Sequence, residues 1–228
     1  MKCGTHHIQN VSTNIKKMKL RKYVRILLTV LVLVSCTRPI NYVIETDFNQ
    51  LMPDTINGET EKESQKKTQE FYTLLLSNTI DKTIPDIEIF TVDGKKLNLR
   101  DVLNTETIII SSDNHCGWGL ESLTNDLPNA MKNLQNEIPD INIICLFKRL
   151  KSDIENPVAF NKTLNELKFI YESVYVIDEN QAYKINLFPN PIRLYVNDNK
   201  VVTHIGIGTS LTENRLLDEI RENTGANK

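Results

Sequence analysis

Cys116 is the residue whose type and placement could do chemistry. It follows an apolar run at residues 107–112 that is typical of a buried strand, and it precedes a helical pattern at residues 120–136. A thiol between a strand end and a helix start lies near unpaired backbone N–H groups and the positive end of the helix dipole, which stabilise a thiolate. A two-thiol redox site would need a second sulfur at position 119, but that residue is Gly119.

Two neighbours of Cys116 are candidates for supporting roles. If protonated, His115 would lower the pKa of the thiol, but an exposed loop imidazole is at least as good an interpretation. Trp118 could line a groove for a partner peptide or pack on the first turn of the helix. Packing is favoured because the chain has one Trp and no aromatic patch beside it.

Cys145 is predicted to be a core residue. It lies inside the apolar run at residues 141–147, where a cysteine behaves as a small hydrophobe. A disulfide needs Cα atoms within about 7 Å of each other, and an interior strand position is unsuited to reach Cys116. The histidines and cysteines also lack metal-ligand spacing, so we expect neither a metal nor a cofactor.

The N-terminal segment has the pattern of an export signal. Residues 1–35 contain seven Lys or Arg and no acid, and they include a nine-residue, nearly all apolar stretch at 26–34. A basic region followed by a short apolar one is typical of a secretory signal, and nine residues span a bilayer poorly. Met18 could be the true start. The alternative is an uncleaved anchor helix.

The end of this segment, Leu-Val-Ser-Cys at residues 33–36, resembles the bacterial lipobox. That resemblance implies a lipid on Cys36, which becomes the mature N-terminus. We expect a lipid-anchored protein of the bacterial cell envelope that faces the periplasm. The outer membrane is favoured over the inner one because no Asp follows Cys36 directly.

Net charge argues against nucleic acid as a partner. Without residues 1–35 the chain keeps 20 Lys and Arg against 29 Asp and Glu, a net charge of about −9. An acidic body does not attract a phosphate backbone or an anionic membrane surface. The lipid, rather than charge, would therefore hold the protein to the bilayer.

The remaining chain divides into a tether and a body. Residues 36–60 are predicted to be the lipidated cysteine and a flexible tether, residues 61–82 an N-terminal helix, residues 83–223 a single domain and residues 224–228 a disordered tail. Within the domain, strand and helix patterns alternate before a terminal hairpin and a closing helix, which predicts an α/β fold with a mixed sheet.

Four features of this domain resemble the thioredoxin fold, in particular the exported thioredoxin-like and peroxiredoxin-like lipoproteins of the thiol-disulfide type. They are a hairpin at residues 87–99, the tetrapeptide Cys-Gly-Trp-Gly at 116–119, Pro191 before a strand at 192–196, and a final hairpin that reaches Gly206. The resemblance implies a three-layer α/β fold, with a mixed central sheet, helices on both faces and an N-terminal hairpin extension.

The resemblance also implies roles for residues. Cys116 matches the nucleophile of the family, Pro191 matches the cis-proline that presents backbone to a bound peptide, and Gly119 departs from the resolving cysteine. Two functions follow as expectations. One is a monothiol that exchanges with disulfides of exported cysteine-containing proteins, with His115 and Trp118 in support. The other is a non-catalytic module that binds an extended peptide.

Overall fold

The computed structural model describes residues 39–40, 61–134, 141–188, 191–208 and 213–223. The predicted signal segment at residues 1–35, the lipidation site Cys36 and the tail at residues 224–228 lie outside these ranges, as does most of the predicted tether. Among the described residues, no helix combines the length and the apolar character needed to cross a membrane.

Helices and strands alternate along the described chain. In order they are α1 (Glu61–Thr79), β1 (Glu88–Thr91), β2 (Lys96–Asn98), α2 (Leu99–Val102), β3 (Thr107–Asp113), α3 (Gly117–Glu121), a π-helical segment (Ser122–Asp126), α4 (Leu127–Leu134), β4 (Asn142–Arg149), α5 (Lys151–Glu155), α6 (Pro157–Ile170), β5 (Ser173–Asp178), α7 (Glu179–Tyr183), β6 (Ile192–Val196), β7 (Val202–Ile207) and α8 (Glu213–Asn223).

The described strands form one mixed sheet in the order β2-β1-β5-β4-β3-β6-β7. β3, β4 and β5 are parallel, and antiparallel strands flank them on both sides. The parallel strands have nearly continuous apolar sequences because helices cover both faces of the sheet. All of β3 is buried, so the Cys116 loop that follows it starts from a fixed strand end.

A hydrophobic core lies on each face of the sheet. Side chains of a strand point alternately to the two faces, so Ile108 and Ile110 join one core and Ile109 joins the other. The first core includes residues of the π-helical segment, α4, α6 and α8, and the second includes residues of α2 and α7. This arrangement has three layers, as the sequence predicts.

Prolines reshape two of the predicted helices. The pattern at residues 120–136 is expected to kink at Pro128. A π-helical segment lies just before this proline, and the N–H of Leu127 there bonds to the carbonyl of Ser122. The apolar spacing at residues 153–167 predicts a single helix. That prediction is wrong, because Pro157 begins a second helix and a residue that precedes a proline disfavours the helical backbone conformation.

Candidate functional site

Cys116 occupies the turn between β3 and α3. It is the N-cap residue of α3, and its Sγ accepts the backbone N–H of Gly119 at 3.3 Å. Its carbonyl accepts the N–H of Leu120 at 2.9 Å. The side chain is partly exposed, whereas Cys145 is buried. Of the two cysteines in the described part of the chain, Cys116 is therefore the one that a reagent can reach.

Asp113 holds the backbone of the Cys116 loop. Its Oδ1 accepts the N–H of His115 at 2.9 Å and the N–H of Cys116 at 3.1 Å. Its Oδ2 lies 3.2 Å from Nζ of Lys148, and both side chains are almost fully buried, with exposures of 5% and 4%. A buried charge is tolerated when it is paired and hydrogen-bonded. The thiol loop thus rests on a buried ion pair.

Sheet register brings the two charges together. Asp113 is the last residue of β3 and pairs with Lys148 of the parallel strand β4. Nζ of Lys148 also donates to the carbonyl of Leu187 at 3.5 Å. Leu187 belongs to the segment that leads to Pro191. One ammonium group therefore contacts both the thiol loop and the segment before the proline.

Pro191 lies at the same end of the sheet as the Cys116 loop. It is buried and directly precedes β6, where Ile192 pairs with Ser111 near the end of β3. The carbonyl of Pro191 accepts the N–H of Gly208 at 2.9 Å. The structure therefore brings the two positions predicted from the family resemblance, Cys116 and Pro191, to one end of the sheet. Asn190, which precedes the proline, lies outside the described residues.

His115 connects the thiol loop to α5. Its Nε2 lies 3.2 Å from Oδ1 of Asp153 and 3.1 Å from Oγ of Ser152. The His115 side chain is half exposed, whereas Asp153 is buried and also accepts the N–H of Leu150 at 2.9 Å. Both contacts of the imidazole use the same nitrogen, so they do not form a Ser-His-Asp relay. When protonated, His115 forms an ion pair with Asp153.

Trp118 contradicts one expectation from the sequence. Its side chain is 75% exposed, so the prediction that it packs on the first helical turn is wrong. It is on α3, two residues after Cys116, and the buried residues of the helical run include Gly119 and Leu123 instead. The indole is therefore exposed to solvent on the helix that begins at the thiol loop, where an incoming partner can contact it.

Gly119 leaves space for a buried hydroxyl. A Cβ at this position would collide with Oγ of Ser112 and would lie 3.2 Å from Sγ of Cys116. Ser112 and its neighbour Ser111 are fully buried, and neither hydroxyl has a hydrogen-bond partner among the described residues. Ser112 comes from β3 and belongs to the site although no motif identifies it.

Cys145 takes the core position expected of it. It is fully buried in the same core as Ile110, with which it pairs in the parallel register of β3 and β4. Burial raises the pKa of its thiol to about 12. This thiol is protonated at neutral pH and is a poor nucleophile. Within the described ranges, no group of three or more His, Cys, Asp or Glu could hold a metal ion.

Sequence reasoning missed Ser112, Asp113 and Lys148. An acidic residue directly after a buried strand, and a lysine at the end of the apolar run 141–147, were the available signs of Asp113 and Lys148. Their pairing depends on the strand order, which brings together residues that are far apart in the sequence. Ser112 gives no sign in the sequence, because a serine at a strand end is common.

Solved structures with a similar backbone indicate the fold class. An electron transfer protein from Aquifex aeolicus VF5 matches with a TM-score of 0.50 at 14% identity, over 64% of this chain and 95% of that one. Yeast Sco1 with copper bound matches with a TM-score of 0.48 at 14% identity, over 62% and 91%. A thiol:disulfide interchange protein from Bacteroides sp. matches with a TM-score of 0.46 at 12% identity, over 61% and 86%.

Sequence comparison adds no closer relationship. No family model matches the sequence, and no curated protein matches it significantly. At such identities a structural likeness concerns the backbone rather than the activity. The mixed sheet, the helices on both faces and the match to the Aquifex aeolicus structure show that this chain has a thioredoxin-like fold.

Proposed function

We propose that this protein is a lipid-anchored, periplasm-facing thioredoxin-fold monothiol that takes part in thiol-disulfide exchange through Cys116. One observation carries the proposal. Cys116 is partly exposed at the start of a helix, and its sulfur already accepts the N–H of Gly119 at 3.3 Å. A hydrogen bond to sulfur favours the thiolate, which is the nucleophile in exchange.

The reaction needs the Cys116 thiolate, a partner that carries a disulfide, and a small thiol. The sulfur of Cys116 attacks one sulfur of a partner disulfide, a new S–S bond forms, and the other partner sulfur leaves as a thiolate. No resolving cysteine is available at position 119, so a low-molecular-weight thiol must attack the mixed disulfide. That attack returns Cys116 as thiolate and leaves the small thiol joined to the partner, so electrons and sulfur atoms balance.

The surroundings of Cys116 suit an extended cysteine-containing segment of an exported protein. Pro191 lies at the same end of the sheet, and the indole of Trp118, two residues after Cys116, offers exposed apolar area. The imidazole of His115 contacts Asp153 of α5. In this proposal Pro191 and Trp118 contact the partner, whereas His115 positions the loop.

The exposure of Trp118 also favours a second function, a non-catalytic module that binds an extended peptide. An indole that is 75% exposed on a surface helix is a typical anchor for a partner. Because the chain has a single Trp, its fluorescence reports binding directly. A peptide that shifts this fluorescence equally in wild type and in Cys116→Ser would favour binding without exchange.

Alkylation of Cys116 as a function of pH tests the redox proposal. The full chain is purified in detergent and treated with iodoacetamide, and mass spectrometry follows the peptide that contains Cys116. We expect a midpoint well below about 8.5, the value of an ordinary thiol. Cys116→Ser identifies the peptide, and buried Cys145 serves as an unreactive internal reference. A midpoint at or above that value, or no reaction without denaturant, would contradict the exchange proposal and favour the non-catalytic binding module.

The anchor is tested separately. We expect the wild-type protein to incorporate an alkyne-bearing fatty acid in bacterial cells and to sediment with membranes, and Cys36→Ser to lose the label. A labelled Cys36→Ser protein would contradict lipidation at this residue. Separation of inner from outer membranes then tests the expected preference for the outer one.

A further inference from the structure

We propose that the Ser112 hydroxyl takes the place of the missing second thiol and is, with the Gly119 N–H, a donor to the Cys116 thiolate. The inference rests on the proposed function and adds a positioning residue to the same site. It starts from a polar group that the rest of the structure leaves unexplained. Ser112 is 0% exposed, and its Oγ has no hydrogen-bond partner among the described residues. Buried hydroxyls are nearly always bonded.

The Ser112 hydroxyl and the Cys116 sulfur both lie close to one position, the Cβ site of Gly119. A Cβ at Gly119 would collide with Oγ of Ser112 and would lie 3.2 Å from Sγ of Cys116. The hydroxyl and the sulfur therefore border the same small space, the one that a side chain at position 119 would fill. In a two-cysteine site that space belongs to the second sulfur, and here an oxygen from the preceding strand borders it.

The neighbouring serine, Ser111, is a buried hydroxyl of the same strand that does not adjoin the thiol. Ser111 is also fully buried and without a hydrogen-bond partner in the described part of the chain. Successive side chains of a strand point to opposite faces of the sheet. Ser111 therefore faces away from α3, whereas Ser112 lies on the face of Ile110 and Leu123, beneath the thiol. Ser111 is the matched control.

Ionisation of Cys116 gives the hydroxyl its partner. The thiol releases its proton to water and becomes an anion that accepts hydrogen bonds readily. In this proposal, rotation about the side-chain bonds of Ser112 turns its O–H toward this sulfur, which also accepts the Gly119 N–H. A donor that bonds mainly to the charged form stabilises that form. The buried hydroxyl is then satisfied in the reactive state of the site.

Ser112 also accounts for the residue at position 119. Any side chain there meets the Ser112 hydroxyl, so Gly119 and Ser112 depend on each other. The single-thiol character is therefore built into the strand as well as into the motif. A cysteine at position 119 would crowd the Ser112 hydroxyl, and removing that hydroxyl as well would relieve the crowding.

The first experiment compares Ser112→Ala with Ser111→Ala in the full-length protein, using the pH dependence of Cys116 alkylation. We expect Ser112→Ala to raise the midpoint by about 0.5 pH unit or more, about a threefold loss of rate below the midpoint. Ser111→Ala keeps the wild-type midpoint. An unchanged midpoint in Ser112→Ala, with a low midpoint in the wild type, overturns the inference alone. An ordinary midpoint in the wild type overturns the proposed function.

The second experiment tests the position of the hydroxyl without relying on the pH dependence of alkylation. Gly119→Cys is made alone, with Ser112→Ala, and with Ser111→Ala, and each protein is treated with oxidised glutathione. We expect Ser112→Ala/Gly119→Cys to form a disulfide between Cys116 and the introduced thiol, losing two hydrogen atoms while glutathione is reduced. The other two should stop at a glutathione adduct on Cys116. Equal disulfide formation in all three variants, each with a cooperative thermal transition, overturns the inference.

Discussion

Two glycines in this protein make room for polar atoms, and the two regions use that room differently. A Cβ at Gly206 would collide with Glu219 and would lie 2.6 Å from Nη2 of Arg193. A Cβ at Gly119 would collide with the hydroxyl of Ser112. Around Gly206 the polar groups bond to one another, whereas the Ser112 hydroxyl lacks a partner in the described structure.

The Gly206 region is a closed network between the sheet edge and α8. Nε and Nη2 of Arg193 each lie 2.9 Å from one carboxylate oxygen of Glu219, and Nη1 donates to the carbonyl of Gly208 at 3.1 Å. Tyr195 donates its hydroxyl to the same carboxylate at 2.7 Å. Arg193 is 2% exposed, so the pairing compensates the burial of its charge.

The difference separates a structural site from a reactive one. The Arg193 network holds a helix on the sheet, so its groups are satisfied in the resting state. The Ser112 hydroxyl borders a thiol that changes charge during the proposed reaction, so a donor that is idle at rest gains a partner on ionisation. A buried polar group without a partner is therefore most informative where it adjoins a group that reacts.

The largest expected effect on stability comes from removing the Glu219 carboxylate from the closed network. Glu219→Ala leaves Arg193 buried and unpaired, which lowers the free energy of unfolding by about 3–5 kcal/mol. Chemical denaturation of the full chain measures it. Glu222→Ala, an exposed glutamate on the same helix, is the control and stays close to wild type. Equal losses in the two variants would contradict the network.

Lowering the pH tests the Arg193–Glu219 ion pair in a second way. Burial raises the pKa of Glu219, but hydrogen bonds from Arg193, its charge and the Tyr195 hydroxyl outweigh burial, so the net pKa lies below the ordinary 4.5. A lowered pKa contributes stability that is present above the ordinary value and is lost as pH falls through the folded-state value. The difference in the free energy of unfolding between wild type and Glu219→Ala therefore becomes smaller below pH 4.5. A constant difference would argue against the ion pair.

A smaller effect is expected from filling the space at Gly206. Gly206→Ala pushes Arg193 and Glu219 apart and lowers the free energy of unfolding by up to about 3 kcal/mol, the range for overpacking a filled site. Thermal and urea unfolding measure the change. Gly117→Ala is the matched control because no atom lies within 4 Å of its Cβ position. A stability loss in Gly117→Ala as large as in Gly206→Ala would show that glycine removal itself, rather than crowding, is responsible.

The smallest effect, and the sharpest contrast, comes from removing one hydroxyl in each region. Tyr195→Phe takes a hydrogen bond from a carboxylate and lowers stability by about 1.5–2 kcal/mol. Ser112→Ala removes a hydroxyl that has no partner among the described residues, so stability stays the same or rises by up to about 1 kcal/mol. Parallel urea titrations compare the two variants. A loss in Ser112→Ala that matches the loss in Tyr195→Phe would mean that the Ser112 hydroxyl is bonded in the resting protein.

Sequence patterns are sufficient for the elements that carry continuous apolar runs. The bounds predicted for β3 and β4 agree with the structure to within two residues, because parallel strands buried on both faces leave an unambiguous pattern. The helix expected at residues 153–167 is wrong because its apolar spacing continues through Pro157, whereas the backbone before that proline is not helical. Local patterns therefore predict the strands better than the helix boundaries.

The candidate site is only half predictable. Cys116 and Pro191 stand out by type and position, and the structure places them at one end of the sheet. The Asp113–Lys148 pair depends on which strands are neighbours, and the Ser112 hydroxyl depends on which face α3 covers. An apolar residue such as Trp118 is expected to pack, but its position on the short helix α3 leaves it 75% exposed. These features are long-range properties of the packed molecule.

The two amides that Asp113 binds have a consequence for recognition. The N–H groups of His115 and Cys116 share one buried carboxylate, and the ring of His115 is tied to Asp153. The loop that carries the sulfur is thereby ordered before any partner arrives. Ordering a backbone residue costs roughly 1–2 kcal/mol, and here folding has already met that cost. A partner that joins Cys116 consequently spends little conformational entropy on this side of the complex, which favours formation of the complex.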